Sequence, residues 1–260
     1  MIFKRRKSAI IFMAWGNEYV NEVSSCIDNS VMPKCDIFLI TDKYTNINDE
    51  RIVVIRAEFE LEGLMRKAEL IKYVPSGYDS YLFLDSDTRV IADISAGFSK
   101  AKKHGIALSP APHYSLDWFY GFDEIMKSEN VPATGQLQYN TGVIFFSLDS
   151  ETRRVFNMWF QLGKRHANLI ENDQPFLTLA MEMMEFNPYT LSIGYNYRGF
   201  GDAISGEVRV WHSHADMPAD INTIESVWPP RRVINGCVHH TRVKEGNWYM
   251  VPPAWNNNAD

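Results

Sequence analysis

Cysteine is scarce in this chain. Cys26, Cys35 and Cys237 are the only three in 260 residues, and none is spaced as a metal ligand. An odd, scattered set argues against a disulfide framework and fits a reducing compartment. Basic charge is in deficit, with 26 Lys and Arg against 32 Asp and Glu, a net charge of -6. Sequence-independent nucleic-acid binding needs clustered cations against phosphate, so no nucleic-acid partner is expected. No run approaches the roughly 18 apolar residues of a membrane span. The loop after the first apolar run has neither G-x-x-x-x-G-K nor G-x-G-x-x-G, which speaks against a P-loop or a dinucleotide fingerprint. No internal repeat is present. Lys4-Arg5-Arg6-Lys7 before Ala9 to Trp15 resembles the front of a signal peptide. The apolar run is only about seven residues, the lower limit for such a segment, and no small-residue cleavage site follows. It reads instead as a first β-strand, with Lys4 to Lys7 a solvated terminus; weak contact with an anionic membrane surface is the alternative.

What remains is ordinary globular composition, 45% hydrophobic and 22% charged, enough for one large α/β domain or two small ones. Strands are expected over 8–15, 36–41, 51–56, 81–84, 106–109, 140–147 and 207–211. Helices are expected over 17–29, where Val20, Val23 and Ile27 share a face, and over 64–73, 150–167 and 173–184. Alternating strands and helices predict a mainly parallel sheet flanked by helices. Right-handed crossovers bring the loops after Trp15, Ile40 and Leu84 to one edge. After Met217 the texture changes to prolines and tryptophans, so residues 1–217 read as the main domain and 218–260 as an irregular Pro/Trp-rich extension packed on it. The last residues, Asn256 to Asp260, are expected to be disordered.

The most telling segment is Tyr81-Leu82-Phe83-Leu84-Asp85-Ser86-Asp87-Thr88. A buried parallel strand shows no polar alternation, and here it runs straight into two acids. Like charges so close repel, and each loses hydration near the sheet. A divalent cation relieves both penalties, and Mg²⁺ and Mn²⁺ take hard oxygen ligands. Ligands also bind at the carboxyl ends of strands in such sheets. The competing reading is a turn that caps the next element.

Other candidates gather at the same edge. Trp15, Gly16, Asn17 and Tyr19 follow the first strand, and Thr41-Asp42 the second. An aromatic ring with an Asn/Asp pair suits a nucleotide base; a plain turn before a helix suits Gly16-Asn17 equally. Lys67 precedes the acid-bearing strand and suits a diphosphate, against the commoner fate of a helical lysine, solvation. His212 and His214 share a strand face, and one imidazole with two carboxylates makes a Mn²⁺ site; surface or core histidines are the alternative. Gln138 to Gly142 precedes a strong apolar strand. Glu171-Asn172-Asp173-Gln174 opens a helix with more polar groups than a cap needs, and suits a sugar. Trp118, Phe119, Tyr120, Trp228 and Trp248 suit either an acceptor platform or a core patch.

In this order the pieces resemble the GT-A glycosyltransferases, a Rossmann-like fold of nucleotide-diphospho-sugar transferases, and most of all family 8 and related retaining enzymes. The likeness covers about residues 8 to 215. It rests on the strand ending in Asp85-Ser86-Asp87, on Arg66-Lys67-Ala68-Glu69-Leu70, on Tyr139-Asn140-Thr141-Gly142-Val143, on Asp173-Gln174-Pro175 and on His212 or His214. The usual Gly and Lys after the family's histidine are absent, which leaves the diphosphate to Lys67, Arg198, Arg231 or Arg232. The resemblance implies a nucleotide-sugar donor, a UDP-sugar foremost, and Mn²⁺ or Mg²⁺ held by Asp85, Asp87 and a histidine. Trp15, Gly16, Asn17, Tyr19, Thr41, Asp42, Lys67, Ser86, Asn140 and Gly142 would surround the donor. Gln174 would lie near the anomeric carbon and Asp173 on sugar hydroxyls, with transfer to a glycan hydroxyl and retention. A catalytic domain with no stem or anchor suggests a cytoplasmic enzyme. Two rivals stay open, a sugar-phosphate nucleotidyltransferase and an inactive nucleotide-sugar-binding protein.

Overall fold

The computed structural model describes residues 8–199, 203–222, 231–234, 237–244 and 247–251. Its first half lays down β1 (Ser8–Met13), α1 (Asn17–Asp28), β2 (Asp36–Thr41), β3 (Ile52–Arg56), a 3-10 turn (Gly63–Glu69) running into α2 (Leu70–Tyr73), β4 (Ser80–Leu84), β5 (Thr88–Val90) and α3 (Ser95–His104). There follow β6 (Ile106–Ser115), α4 (Phe122–Ser128), β7 (Leu137–Phe146), α5 (Ser150–His166), α6 (Gln174–Met183), β8 (Tyr189–Thr190) and β9 (Val210–His212).

Seven strands form the main sheet in the order β3-β2-β1-β4-β7-β6-β8. β1 to β4 are mutually parallel in that order, while β7 pairs antiparallel with both β4 and β6. Hence β7 alone runs against its neighbours, and its amino end meets the carboxyl end of β4.

Both faces of the sheet are covered. Ile11, Phe83, Ile144 and Phe146 face Val155, Phe156 and Trp159 of α5 and Phe176 of α6. The alternate residues Ile10, Leu82, Val143 and Phe145 face Val20 and Val23 of α1 and Phe98 of α3. Period-two alternation between two apolar layers is why the strands read as unbroken hydrophobic runs.

Two elements depart from expectation. The region around Lys67 is a 3-10 turn before a four-residue helix, not one helix over 64–73. The 218–260 extension, expected to be irregular, carries a three-stranded antiparallel sheet of β10 (Arg231–Ile234), β11 (Cys237–Lys244) and β12 (Asn247–Val251). Val233 and Val238 pack with Tyr197 and Trp211, and Val233 N–H donates to the Tyr197 hydroxyl at 3.2 Å. Trp228, Lys4 to Lys7, Asn256 to Asp260 and the side chains of Arg231 and Trp248 lie outside what is described. Among the described residues no helix is long and apolar enough to cross a membrane.

Candidate active site

The strand β4 ends inside the sheet, and the chain turns at once. Asp85 N–H donates to Gly142 O at 2.8 Å, while the Asp85 carbonyl accepts from Thr88 Oγ1 at 2.7 Å. The acid motif is therefore also a turn, and it feeds β5. That short strand pairs antiparallel with β9, setting Thr88 opposite His212, and Ser213 N–H donates to Asp87 O. The ribbon carries His212 to the acids.

Asp85, Asp87 and His212 each offer a donor atom, all within 4.8 Å of one another. His212 Nε2 lies 3.3 Å from Asp87 Oδ1 and 3.8 Å from Asp85 Oδ2. Two carboxylates and one imidazole are a donor set that suits Mn²⁺ or Mg²⁺, so the residues present fit the cation expected from the sequence resemblance. The His212 ring has room because position 142 is glycine: a Cβ there would lie 2.2 Å from His212 Cε1. Its Nδ1 is 2.7 Å from Asn196 Oδ1.

Lys67 is neither solvated nor unpaired. It is 8% exposed, with Nζ 2.9 Å from Asp85 Oδ1 and 3.5 Å from Asp173 Oδ2. Burial pulls its ammonium down, but Asp173 and Asp85 outweigh that and hold it above its ordinary value. Burial pushes the Asp85 carboxyl up, against the opposing pull of Lys67 and His212. Asp87 is pushed up by burial too, yet His212 and His214 prevail and hold it below the usual range. The two acids of one motif are thus driven apart, because loss of hydration prevails at Asp85 while Asp87 faces both imidazoles.

His214 stands outside the close trio. It is largely exposed, with Nδ1 2.8 Å from Glu22 Oε1 and Nε2 3.6 Å from Asp87 Oδ2. Glu22, on α1, also accepts from Ser86 Oγ at 2.5 Å.

A cavity of about 400 Å³ opens over these groups, lined by Trp15, Tyr19, Lys67, Asp85, Ser86, Asp87, His212 and His214 among others. Arg66 braces the lining residue Trp15, its guanidinium 4.6 Å from that ring centre and 5.3 Å from that of Phe59. The remaining expected residues do not line it. Asp42 Oδ1 accepts from Thr45 N–H and Oγ1, and Thr45 Oγ1 accepts from Gly16 N–H at 2.8 Å, so this relay ties the loops after β1 and β2 together. Asn17 begins α1, and Thr41 is fully buried. Asn140 and Gly142 lie beneath His212. Asp173 is buried and reaches the cavity only through Lys67. Gln174 Nε2 donates to Gln138 Oε1 at 2.9 Å. Arg198 and Arg232 do not line the cavity either. Asn196, Glu22 and Arg66 are site residues that sequence reasoning passed over or left without a role. Arg66 alone carried a signal, standing between Met65 and Lys67, both buried in the 3-10 turn.

No family model matches the sequence, and no curated protein does either. Solved structures are similar. The galactosyltransferase LgtC, solved with donor and acceptor sugar analogues, matches at a TM-score of 0.56 and 15% identity, over 85% of this chain and 91% of that one. Mouse xyloside xylosyltransferase 1 matches at 0.54 and 12%, over 80% and 98%. The bifunctional glycosyltransferase WbbM matches at 0.52 and 14%, over 83% of this chain and 47% of its own. The chain has the fold of these glycosyltransferases, the GT-A arrangement that the strand into Asp85-Ser86-Asp87 implies.

Proposed function

We propose that the protein is a metal-dependent glycosyltransferase that moves a sugar from a nucleotide-diphosphate sugar, a UDP-sugar foremost, to a hydroxyl of a glycan-type acceptor with retention. The observation that carries this reading is the convergence of Asp85, Asp87 and His212 in one cavity at the carboxyl edge of a GT-A sheet. Asp85, Asp87 and His212 would hold Mn²⁺ or Mg²⁺. Such a cation supplies Lewis-acid stabilisation of the charge that develops on a leaving diphosphate.

The chain's own residues do the rest. Trp15 and Tyr19 offer ring faces to the donor's base. Lys67 neutralises Asp85 and Asp173 and fixes both carboxylates. Asp173 Oδ2 has the Lys67 ammonium at 3.5 Å and no closer hydrogen bond, which leaves it lone-pair capacity for a donor-sugar hydroxyl. Gln174 stands next to it at the start of α6, near where the anomeric carbon would lie. Retention is supported by the state of Asp173, whose carboxylate is engaged by Lys67 instead of standing free as a base. The leaving phosphate would take the acceptor's proton.

A thermal-shift panel of UDP-, GDP-, CMP- and dTDP-sugars, each with Mn²⁺ or with EDTA, tests the reading. A ligand at a hundredfold excess over Kd stabilises the native state by about 2.7 kcal/mol. One nucleotide-sugar should raise the melting temperature with Mn²⁺ and lose that effect with EDTA. No shift for any of them, with or without metal, rejects the reading.

A further inference from the structure

We propose that Asn196 is a positioning residue that fixes the His212 proton on Nδ1 and so turns an unprotonated Nε2 towards the two acids. The cation part of this inference rests on the reading above; the proton assignment stands on hydrogen-bond logic alone.

That logic starts at the backbone. Gly142 N–H donates to Asn140 Oδ1 at 2.8 Å. A backbone N–H has no acceptor role, so the atom it meets is the carbonyl oxygen of the Asn140 amide. The same oxygen accepts from Asn196 Nδ2 at 2.8 Å. The amide nitrogen of Asn196 must therefore face Asn140, which leaves Asn196 Oδ1 on the far side. There it meets His212 Nδ1 at 2.7 Å. A carbonyl oxygen only accepts, so Nδ1 carries the proton, and the lone pair of the neutral ring sits on Nε2. Each link forces the next, and the first is a main-chain group that cannot flip.

Burial makes the arrangement hold. Asn140 is 5% and Asn196 3% exposed, so water cannot readily replace either partner. The backbone is braced as well. Asn196 N–H donates to Ile193 O, Tyr197 N–H to Val210 O and His212 N–H to Tyr197 O, which locks the strand of His212 to the segment of Asn196. Had the proton been on Nε2, it would point into the space shared with Asp85 and Asp87, where a cation needs a lone pair. A ligating histidine whose second nitrogen is held in this way is oriented and made a better donor, and loss of the holding partner costs about 10–100-fold in metal affinity.

The test uses the full chain with ¹⁵N-labelled histidine, free of metal, at a pH high enough for the ring to be neutral. Long-range ¹H–¹⁵N spectra separate the two tautomers, and a His212→Gln sample assigns the signal among the seven histidines. His212 should be protonated on Nδ1. Protonation on Nε2 overturns the proposal, and this reading needs no Asn196 variant to fold. Asn196→Leu should then shift the ring towards the other tautomer and weaken Mn²⁺ binding, measured by calorimetry, by about 10–100-fold. An unchanged tautomer in that variant also overturns the proposal. If the wild-type protein binds no Mn²⁺ while His212 is protonated on Nδ1, the positioning role stands and the cation reading fails.

Discussion

The imidazole of His212 occupies the volume that a side chain at position 142 would need. A methyl group there would lie 2.2 Å from Cε1 and 2.7 Å from Nδ1. Real carbon contacts do not come so close, so Gly142→Ala must push the ring off its seat, while the strand β7 keeps its buried pairing with β4. The expected result is a folded protein whose Mn²⁺ affinity falls by about 10–100-fold, the usual consequence of a disturbed ligand shell. Circular dichroism and calorimetry on one sample check both halves.

The two histidines should separate cleanly. His212→Ala is expected to abolish Mn²⁺ binding, because its Nε2 faces both acids. His214→Ala should leave the affinity nearly unchanged, because that ring is exposed and held through Glu22. Paired titrations measure the difference, and equal losses in both would show that His214 belongs to the ligand set.

Asp87→Ala should cut sugar transfer by about 100-fold or more, since several kcal/mol of charge stabilisation are at stake. The fold should persist with only a modest fall in melting temperature, since the carboxylate's attraction to His212 and His214 is lost while the sheet pairing is untouched. Normal transfer by this variant would sink the metal assignment.

Lys67→Met leaves Asp85 and Asp173 buried without their shared cation. Breaking such a pair costs about 3–5 kcal/mol. Urea denaturation should show this loss, and the double change Lys67→Met with Asp173→Asn should recover part of it, since one stranded charge goes too. A double variant no more stable than the single one would show that Lys67 matters for packing over Phe83, whose ring centre is 5.2 Å away, and not for charge.

Asp149 caps α5, accepting from Thr152 N–H at 2.8 Å. Burial works to raise its carboxyl, but the bonds from Ser147 and Thr152 prevail and hold it below the usual range. A group lowered on folding stabilises the native state above its unfolded pKa, and that contribution disappears as pH falls through the folded value. Asp149→Ala should therefore cost about 1 kcal/mol at neutral pH and progressively less below about pH 4. Melting curves across that range, with transfer activity unchanged, check it.

The strand β4 and its acids were legible because four apolar residues running into two carboxylates have few other meanings. Gly142 stood out within Tyr139 to Val143, but only space explains it, since the group it accommodates comes from β9. The helix expected over 64–73 failed because helical periodicity says nothing of a 3-10 turn that buries Met65, Lys67 and Ala68 together. The direction of β7 was hidden, as a strand covered on both faces looks alike whichever way it runs. α3 was missed because Phe98 and Ala101 are too few to show a period among serines and lysines. Asn196 left no trace at all. Its meaning lies in two contacts, to Asn140 and His212, that no local pattern encodes.

The β5–β9 ribbon has a kinetic side. Pairing Thr88 with His212 closes a loop that contains β6, β7, α5 and α6. No fragment that stops short of β9 can assemble Asp85, Asp87 and His212, so the three meet only after that loop has closed. Closure entropy grows slowly with length, but the ordering it imposes is strict. A cation gripped by all three would then act as a removable cross-link across the loop, and chelation would be felt as faster unfolding throughout the region it encloses.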